Sequence, residues 1–378
     1  MKHGQILFHA VAIASVIAFP ATADYPLNDD ESLKAYGDVR LRLERDDDSE
    51  KADGSFRRDR DRFRTRLRLG LKYQASDNLS FNIRARTGNH DAQQSPHITL
   101  WQDHGSAGEQ GDVTLDKAYA KLTMSQSWIK LGRDGLPFWK PNEFLWDDDV
   151  YIDGLMTGCN WDYPNASMAF NGAFAALPDG DDRHARSNRS TVTALQFVYQ
   201  RPVSDGNLTI ADGFLYINDN NDNANGINQA EGEDLDYRIN AVNIQYKLKT
   251  RGLPLAVGAD YMHNFADGAK GDAGNKDRND GWDVYAKLGS LKEPGDFLAG
   301  YYYARVEKYA VARHLSQDDW FRWGSATQTR SSDYKGHEIR VAYAFTKKIN
   351  LVARGYLVDA ISTGEDGKRF RLDLNVKL

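Results

Sequence analysis

The sequence predicts an all-β fold: a transmembrane antiparallel β-barrel of about sixteen strands that follows a cleaved leader. Three observations predict it. Apolar and polar residues alternate with period two from end to end, and no long window favours the 3.6-residue period of an amphipathic helix. The connections between alternating runs are short and long by turns. The chain is polar, with a mean hydropathy of −0.64, yet 11% of its residues are aromatic. A membrane protein tolerates that polarity when its strands show lipid only every other side chain.

The elements follow in order. Residues 1–23 read as a secretory leader: Lys2 and His3, an apolar run over 10–19, and small residues ending at Ala23. The run falls short of the ~20 apolar residues a spanning helix needs. Cleavage after Ala23 removes one of the 48 Lys+Arg and none of the 54 Asp+Glu, so residues 24–378 carry 47 against 54, a net −7. An exported acidic chain has no phosphate polymer to serve, which argues against nucleic acid as partner. Cys159 stands alone, so no intramolecular disulfide is available.

Strands are expected at 34–45, 61–73, 79–87, 114–124, 128–132, 152–163, 166–176 and 191–200. Eight more follow at 208–217, 235–249, 253–264, 282–289, 297–307, 334–346, 349–359 and 369–378. Those near 152, 208 and 235 alternate poorly. Short turns such as "QASDN", "PN" and "VSDGN" use residues that tolerate tight reversals. Long connections occupy roughly 46–60, 88–112, 133–150, 178–190, 218–234, 265–280, 307–333 and 360–368. Tight turns at one end and eight long polar loops at the other place both termini in the periplasm. The final run "RFRLDLNVKL" sets Phe370, Leu372, Leu374, Val376 and Leu378 against Arg369, Arg371, Asp373, Asn375 and Lys377. An open edge is forbidden in lipid, so this strand should close onto the first.

Charge then assigns the faces. In "RDRDRFRTRLRLGLKY", Arg62, Arg64, Arg66 and Arg68 alternate with apolar residues until Gly70 takes the slot. An Arg facing lipid near the midplane costs ~2–4 kcal/mol, so these four should face inward. The same logic turns Arg40, Arg42, Arg84 and Arg86 inward near the start of the chain, and Arg340, Arg354, Arg369 and Arg371 near its end. Closure merges the two sets into one basic wall, some of it paired with Glu44, Glu338 or Asp373 because neighbouring bare cations repel. The middle strands contribute few arginines, chiefly Arg238. The third long loop, which opens at Arg133, supplies the opposite sign: Asp134, Glu143, Asp147, Asp148 and Asp149 lie among Phe138, Trp139, Phe144 and Trp146. Aromatics need something to pack on, so the loop at about 133–150 is expected to fold into the lumen and set acids against the arginines.

The segments "RTRLRLGLKYQASDNLSFNIRARTGN" (64–89), "LDKAYAKL" (115–122), "IKLGRDGLPFW" (129–139) and "LWDDDVYIDGL" (145–155) resemble the putative porins of Gram-negative outer membranes. They are also distantly similar to alginate-export barrels. The resemblance covers about 34–160, and its family pattern matches Arg133 and Asp147–Asp149 around the third loop. It implies a passive or weakly selective channel in the outer membrane, in contact with outer-membrane lipid and lipopolysaccharide. The arginines imply small hydrophilic solutes with a preference for anions, because the guanidinium fork suits carboxylates and phosphates. A channel for acidic oligosaccharide of the alginate-export kind is the alternative. Trimers are common among sixteen-stranded porins and alginate-type barrels work singly; the sequence leaves a homotrimer open.

Other signals carry less. The loop 218–236 nearly fits a calcium loop from Asn221, with Asn223, Asn225 and Gly226 in place, but the twelfth position falls on Gly232 between Glu231 and Glu233. A plain polar loop is preferred, with calcium or a lipopolysaccharide-bridging ion as the alternative. His263 and Asn264 with Ser290 or Ser331 would suggest an outer-membrane lipase, but no base, nucleophile and orienting group converge. The chain is therefore not expected to be an enzyme. The nine histidines show no metal-ligand spacing, and no cofactor is expected. The loop 314–333, with Trp320, Phe321 and Trp323, would serve an adhesin or docking barrel as a receptor surface.

Overall fold

The computed structural model describes residues 24–88, 94, 96–103, 111–177, 190–218, 236–248, 252–268, 273–320 and 331–378. The leader at 1–23, most of the calcium-like loop (219–235) and Phe321 and Trp323 lie outside them.

Sixteen long strands form one antiparallel cylinder. They are β1 (Leu33–Asp47), β2 (Arg60–Gln74), β3 (Leu79–Thr87), β4 (Val113–Met124), β5 (Ser127–Gly135), β6 (Tyr151–Tyr163), β7 (Ala166–Ala176) and β8 (Thr191–Val203). The circuit continues with β9 (Gly206–Asn218), β10 (Tyr237–Leu248), β11 (Leu255–Asn264), β12 (Asp280–Gly289), β13 (Phe297–Val306), β14 (Tyr334–Ala344), β15 (Ile349–Ala360) and β16 (Asp366–Lys377). Each pairs with its sequence neighbour, and β16 returns to β1 through Leu374↔Leu41 and Asp373↔Arg42. Closure leaves no unpaired edge for hydrocarbon to solvate. At 9 to 15 residues the strands are long enough to cross, since a tilted strand needs ~9–11.

Two short strands were not expected. Tyr25–Pro26 pairs with the start of β1. Ile98–Gln102 pairs with β2 beyond the point where β3 stops, from Thr65↔Ile98 to Arg62↔Gln102. Without it the upper backbone of β2 would keep unsatisfied groups on that side.

The alternation holds on both faces. Leu69, Leu71, Ile83, Leu131, Leu155 and Phe370 are exposed on the outside, where lipid lies. Inside, β6 to β10 carry Ile152, Met156, Val192, Ala194, Leu215, Ile217, Ile239 and Ala241, all buried. That apolar inner face is why the stretches near 152, 208 and 235 alternate poorly, since strands covered on both sides read as near-continuous apolar runs. The break in the arginine series also has a steric cause. A Cβ at Gly70 would stand 2.5 Å from the Tyr36 ring, which lies over the gap. Two-residue reversals follow β4 and β8, where Ser125 and Ser204 take φ of 49° and 48°.

Candidate functional site

The inward-facing arginines sit in register. Across β1 and β2 the rows are Asp38↔Arg68, Arg40↔Arg66, Arg42↔Arg64 and Glu44↔Arg62. On the other side of β1 they are Asp373↔Arg42 and Arg371↔Glu44, followed by Arg371↔Arg354 and Arg354↔Arg340. Guanidiniums one strand apart repel, so carboxylates are interleaved among them. Arg42 meets Asp373 at 2.7 Å, Arg371 meets Glu44 at 2.7 Å and Arg369 meets Asp46 at 2.6 Å. Arg66 and Arg68 share Asp38 at 2.8 and 2.7 Å, Arg84 holds Asp116 at 2.8 Å and Arg340 holds Glu338 at 2.7 Å. Arg62 and Arg64 both engage Glu44. Most of these groups are buried; Arg42, Arg86 and Arg371 are each 2% exposed.

Burial comes from two loops lying against this wall. Segment 136–150, between β5 and β6, brings Asp149 to Arg66 (3.6 Å) and Arg68 (3.3 Å), and Arg86 donates to the Asp149 carbonyl. Segment 307–320, after β13, brings Asp319 to Arg42 (3.7 Å), Arg354 (3.1 Å) and Arg371. The loops also grip each other. The Asp147 backbone N–H donates to the Leu315 carbonyl at 2.7 Å, that of Gln317 to Glu143 at 3.0 Å, and Phe144 meets the Trp320 ring at 5.0 Å. Gln94, from the connection between β3 and β4, adds a further contact by donating its amide to the Arg313 carbonyl.

The first loop reaches the opposite wall as well. Gln196 of β8 accepts from the Trp139 backbone N–H at 2.7 Å and donates back to its carbonyl at 2.8 Å. Asn142 donates to Asp260 of β11 and to Asp283 of β12, and Lys287 of β12 donates to the Pro141 carbonyl. Leu136, Phe138, Phe144 and Trp146 join the apolar inner face of β6 to β13 in one buried cluster. Dehydrated acids within the two loops pay for this in protonation. Burial, with Asp148 adding to it, pushes Glu143 up to about 8, and burial beside Glu143 pushes Asp147 well above the usual carboxylate range. Burial and then Asp319 raise Asp318 to about 6. Burial opposes ionisation of Asp319 too, but Arg371, Arg42 and Arg354 hold it far below that range.

Several expected residues stand elsewhere. Arg133 and Asp134 are on β5, not in the loop, because the strand runs three residues further than its alternation suggests. Arg133 shares the outer face with Ile129 and Leu131 and pairs with Asp153 at 2.6 Å; Asp134 faces inward between Lys117 and Lys130. Arg238 is exposed between buried Tyr237 and Ile239, so it points out of the barrel. The described part of 314–333 packs inward, with Leu315 and Trp320 buried, instead of offering a receptor surface. His263 pairs with Asp280 on the outer face, Asn264 is buried and donates to the Tyr309 carbonyl, and Ser290 donates to Asp296 in a turn at the other end. The lipase set is not assembled.

The sequence reading missed the lysines. Lys121, Lys247 and Lys287 face inward and make no ion pair among the described residues; Arg40 likewise has only the neutral Asn375 side chain, at 2.7 Å. Lys287 lies over the Tyr285 ring at 4.7 Å and Tyr302 at 5.6 Å, and Lys121 over Trp128 at 5.5 Å. The register runs Lys247↔Ala256↔Lys287↔Gly300↔Arg340↔Arg354, a stepped row of cations with small residues between. The signal was in the sequence: all three lysines stand at inward parity on their strands.

Residues 52–194 match the family model for putative porins. That segment holds the arginine series, the third loop and the start of the apolar inner face. The resemblance to putative porins, though not that to alginate-export barrels, is thus borne out there, and with it an outer-membrane location in a Gram-negative bacterium. Among solved structures, the barrel is similar to Pseudomonas putida OprB at high pH, with 11% identity, 92% of this chain and 95% of that one covered, and a TM-score of 0.58. It is similar to Salmonella typhi OmpF in complex with daunomycin at 12% identity, covering 92% and 97%, with a TM-score of 0.53. A BenF-like porin from Pseudomonas fluorescens Pf-5 aligns at 14% identity over 92% and 99%, with a TM-score of 0.51. At these identities the likeness establishes the fold alone. A search of the curated proteins gives no match. Family and fold together support an outer-membrane porin and a non-enzymatic channel.

Proposed function

We propose that this barrel passes small hydrophilic solutes by passive diffusion, with a preference for anions set by the inward-facing cations that lack carboxylate partners. The observation that carries this reading is the contrast between two sets of positive charge. Arg42, Arg62, Arg66, Arg68, Arg84, Arg369 and Arg371 are offset by strand and loop carboxylates and serve chiefly to hold the wall and the loops. Arg40, Lys121, Lys247 and Lys287 form no ion pair among the described residues; Asp373, Asp134 and the Asp260–Asp283 pair act on Arg40, Lys121 and Lys287 without a direct contact, which leaves these cations free to attract mobile anions. The segments 136–150 and 307–320 act as the constriction, since both lie inside the wall and touch its two sides. Binding at the lysines must stay weak, because a tightly held solute would not leave.

Reversal potentials across a planar bilayer under a potassium chloride gradient test the assignment. Replacing Lys121, Lys247 and Lys287 with Gln together is expected to move the potential towards cation preference. Replacing Arg62, Arg64 and Arg66 is expected to destabilise the barrel while shifting the potential less. An unchanged potential in the lysine variant refutes the reading.

A further inference from the structure

Three guanidiniums of the inner wall converge on one spot, and the carboxylate that fills it belongs to the chain itself. Arg42 of β1, Arg371 of β16 and Arg354 of β15 each turn Nη1 to Asp319 of segment 307–320. Two of them are also held from behind. Arg42 gives Nε and Nη2 to Asp373 at 2.7 and 3.0 Å, and Arg371 gives Nε to Glu44 at 2.7 Å. Arg354 forms no other ion pair among the described residues, and its buried Nε meets no acceptor among them.

The seat is triangular. Arg354 and Arg371 are register partners, whereas Arg42 lies one strand further on and one inward position nearer the short turns, opposite Asp373. A carboxylate has two oxygens for these three donors. Oδ1 of Asp319 therefore serves both Arg371 and Arg42, the latter at 3.7 Å, while Oδ2 serves Arg354 at 3.1 Å. A tetrahedral oxyanion presents three oxygens on one face and gives each guanidinium its own.

Charge favours the same occupant. From Arg40 towards the long loops, the inward side chains of β15, β16 and β1 include five arginines, Arg354, Arg369, Arg371, Arg40 and Arg42. Three carboxylates oppose them, Glu44, Asp46 and Asp373. Glu338 of β14 is held by Arg340, and Asp318 travels with the same loop as Asp319. The excess is two, of which the Asp319 carboxylate answers one. Arg40 has only Asn375 as a partner and stands close enough for Arg42 and Arg354 to act on its charge. A dianion matches this seat better than a monoanion does.

We propose that the seat is a binding site for the phosphoryl dianion of a passing solute, as free phosphate or a phosphate monoester, and that Asp319 covers it between solutes. The loop reaches the seat from the lumen, so the organic part of an ester has the space the loop leaves. Solute and carboxylate compete for the same nitrogens, and that competition loosens 307–320 on binding and returns the solute to the lumen afterwards. The assignment deepens the anion-channel reading and rests on it for the arrival of solutes in the lumen.

The test uses the purified full barrel in detergent at about pH 7.5, where phosphate monoesters are close to doubly charged. Folding is read from the heat-dependent shift on a gel. Affinity is measured by titration calorimetry, with inorganic phosphate and glycerol 3-phosphate as arms that tell free ion from ester, and acetate at matched ionic strength as the carboxylate control. Phosphate in one or both forms is expected to bind at least tenfold more tightly than acetate. Asp319→Asn removes the competitor and is expected to tighten phosphate binding tenfold or more. Arg354→Gln is expected to weaken it by a similar factor, and hydrogen exchange over 309–320 should quicken when phosphate is added to the unaltered barrel. Acetate binding as tightly as phosphate overturns the proposal. So does phosphate binding no tighter in Asp319→Asn than in the unaltered barrel, a comparison that decides alone should Arg354→Gln fold poorly. Replacing Lys121, Lys247 and Lys287 moves the reversal potential and leaves these affinities as they were, so anion preference and the phosphate seat fail separately.

Discussion

Asp319 is the single loop carboxylate on which the most guanidiniums converge, and Asp319→Asn should release the loop that carries it. The wild-type side chain lies within ion-pairing distance of Arg42, Arg354 and Arg371, on two neighbouring strands and the one beyond. Arg42 and Arg371 are almost wholly buried, while Asp319 itself keeps about a fifth of its side-chain surface. Removing one partner of a fully buried pair costs ~3–5 kcal/mol. Partial exposure and the remaining partners Asp373 and Glu44 argue for the low end, about 3 kcal/mol. At ~1.4 kcal/mol per factor of ten, that moves the balance between docked and released loop by about two decades. The assay is paired: hydrogen exchange of backbone amides over 309–320, and single-channel recording of time spent in a higher-conductance state. Exchange should accelerate roughly a hundredfold, as the docking free energy predicts, and high-conductance dwells should lengthen. Unchanged protection with unchanged dwells would refute the view that this carboxylate anchors the loop.

Three further outcomes follow from the same geometry. The docking of 136–150 should weaken with rising pH: Glu143 and Asp147 are held protonated above their free values, so their contribution is complete below pH ~4 and is lost as pH climbs through about 8, where Glu143 ionises. Conductance recorded from pH 5 to 9 should rise, and Glu143→Gln should flatten the curve. Asn142→Ala withdraws the donor shared by Asp260 and Asp283 and strands two buried carboxylates, at ~1–3 kcal/mol for each unsatisfied group; chemical denaturation should show a lower midpoint, and an unchanged one would mean the loop is held elsewhere. Arg133→Gln breaks an exposed pair on the outer wall, worth under ~1 kcal/mol, so both stability and conductance should stay as they were.

Alternation and loop length made the barrel legible almost strand by strand, because a period of two leaves no freedom in which side chain meets lipid. The same rule assigned the inward arginines without any structure. Which of them face water lay beyond it, because a guanidinium buried against Asp319 and one lining open lumen satisfy the same parity. The answer depends on where 136–150 and 307–320 come to rest, and that is decided by contacts between residues more than a hundred positions apart, such as Asn142 with Asp260. Arg133 and Asp134 were misassigned for a local reason. The residues after Gly132 show no apolar partner to continue the alternation, although Gly132 (φ +123°) and Gly135 let the backbone carry on pairing with β6. The lysines were overlooked because attention to guanidinium density hides a cation that occurs singly per strand.

That difference in density has a physical consequence for selectivity. Arginines stacked on adjacent strands, as in Arg40↔Arg66 and Arg42↔Arg64, raise a local repulsion that the fold relieves by drawing in fixed carboxylates, and each carboxylate so drawn cancels attraction for a passing anion. Cations separated by Ala256 and Gly300, as Lys247, Lys287 and Arg340 are, need less relief. Lys247 and Lys287 form no ion pair among the described residues, and Lys287 rests on the Pro141 carbonyl and the Tyr285 face. A dense basic wall is therefore suited to anchoring acidic loops, and a sparse one to steering solutes. Inserting a carboxylate between the sparse cations, as Gly300→Asp would, should convert part of the second kind into the first. Anion preference should fall with little change in stability, and a reversal potential unmoved by that substitution would show that the stepped row does not face the conducting path.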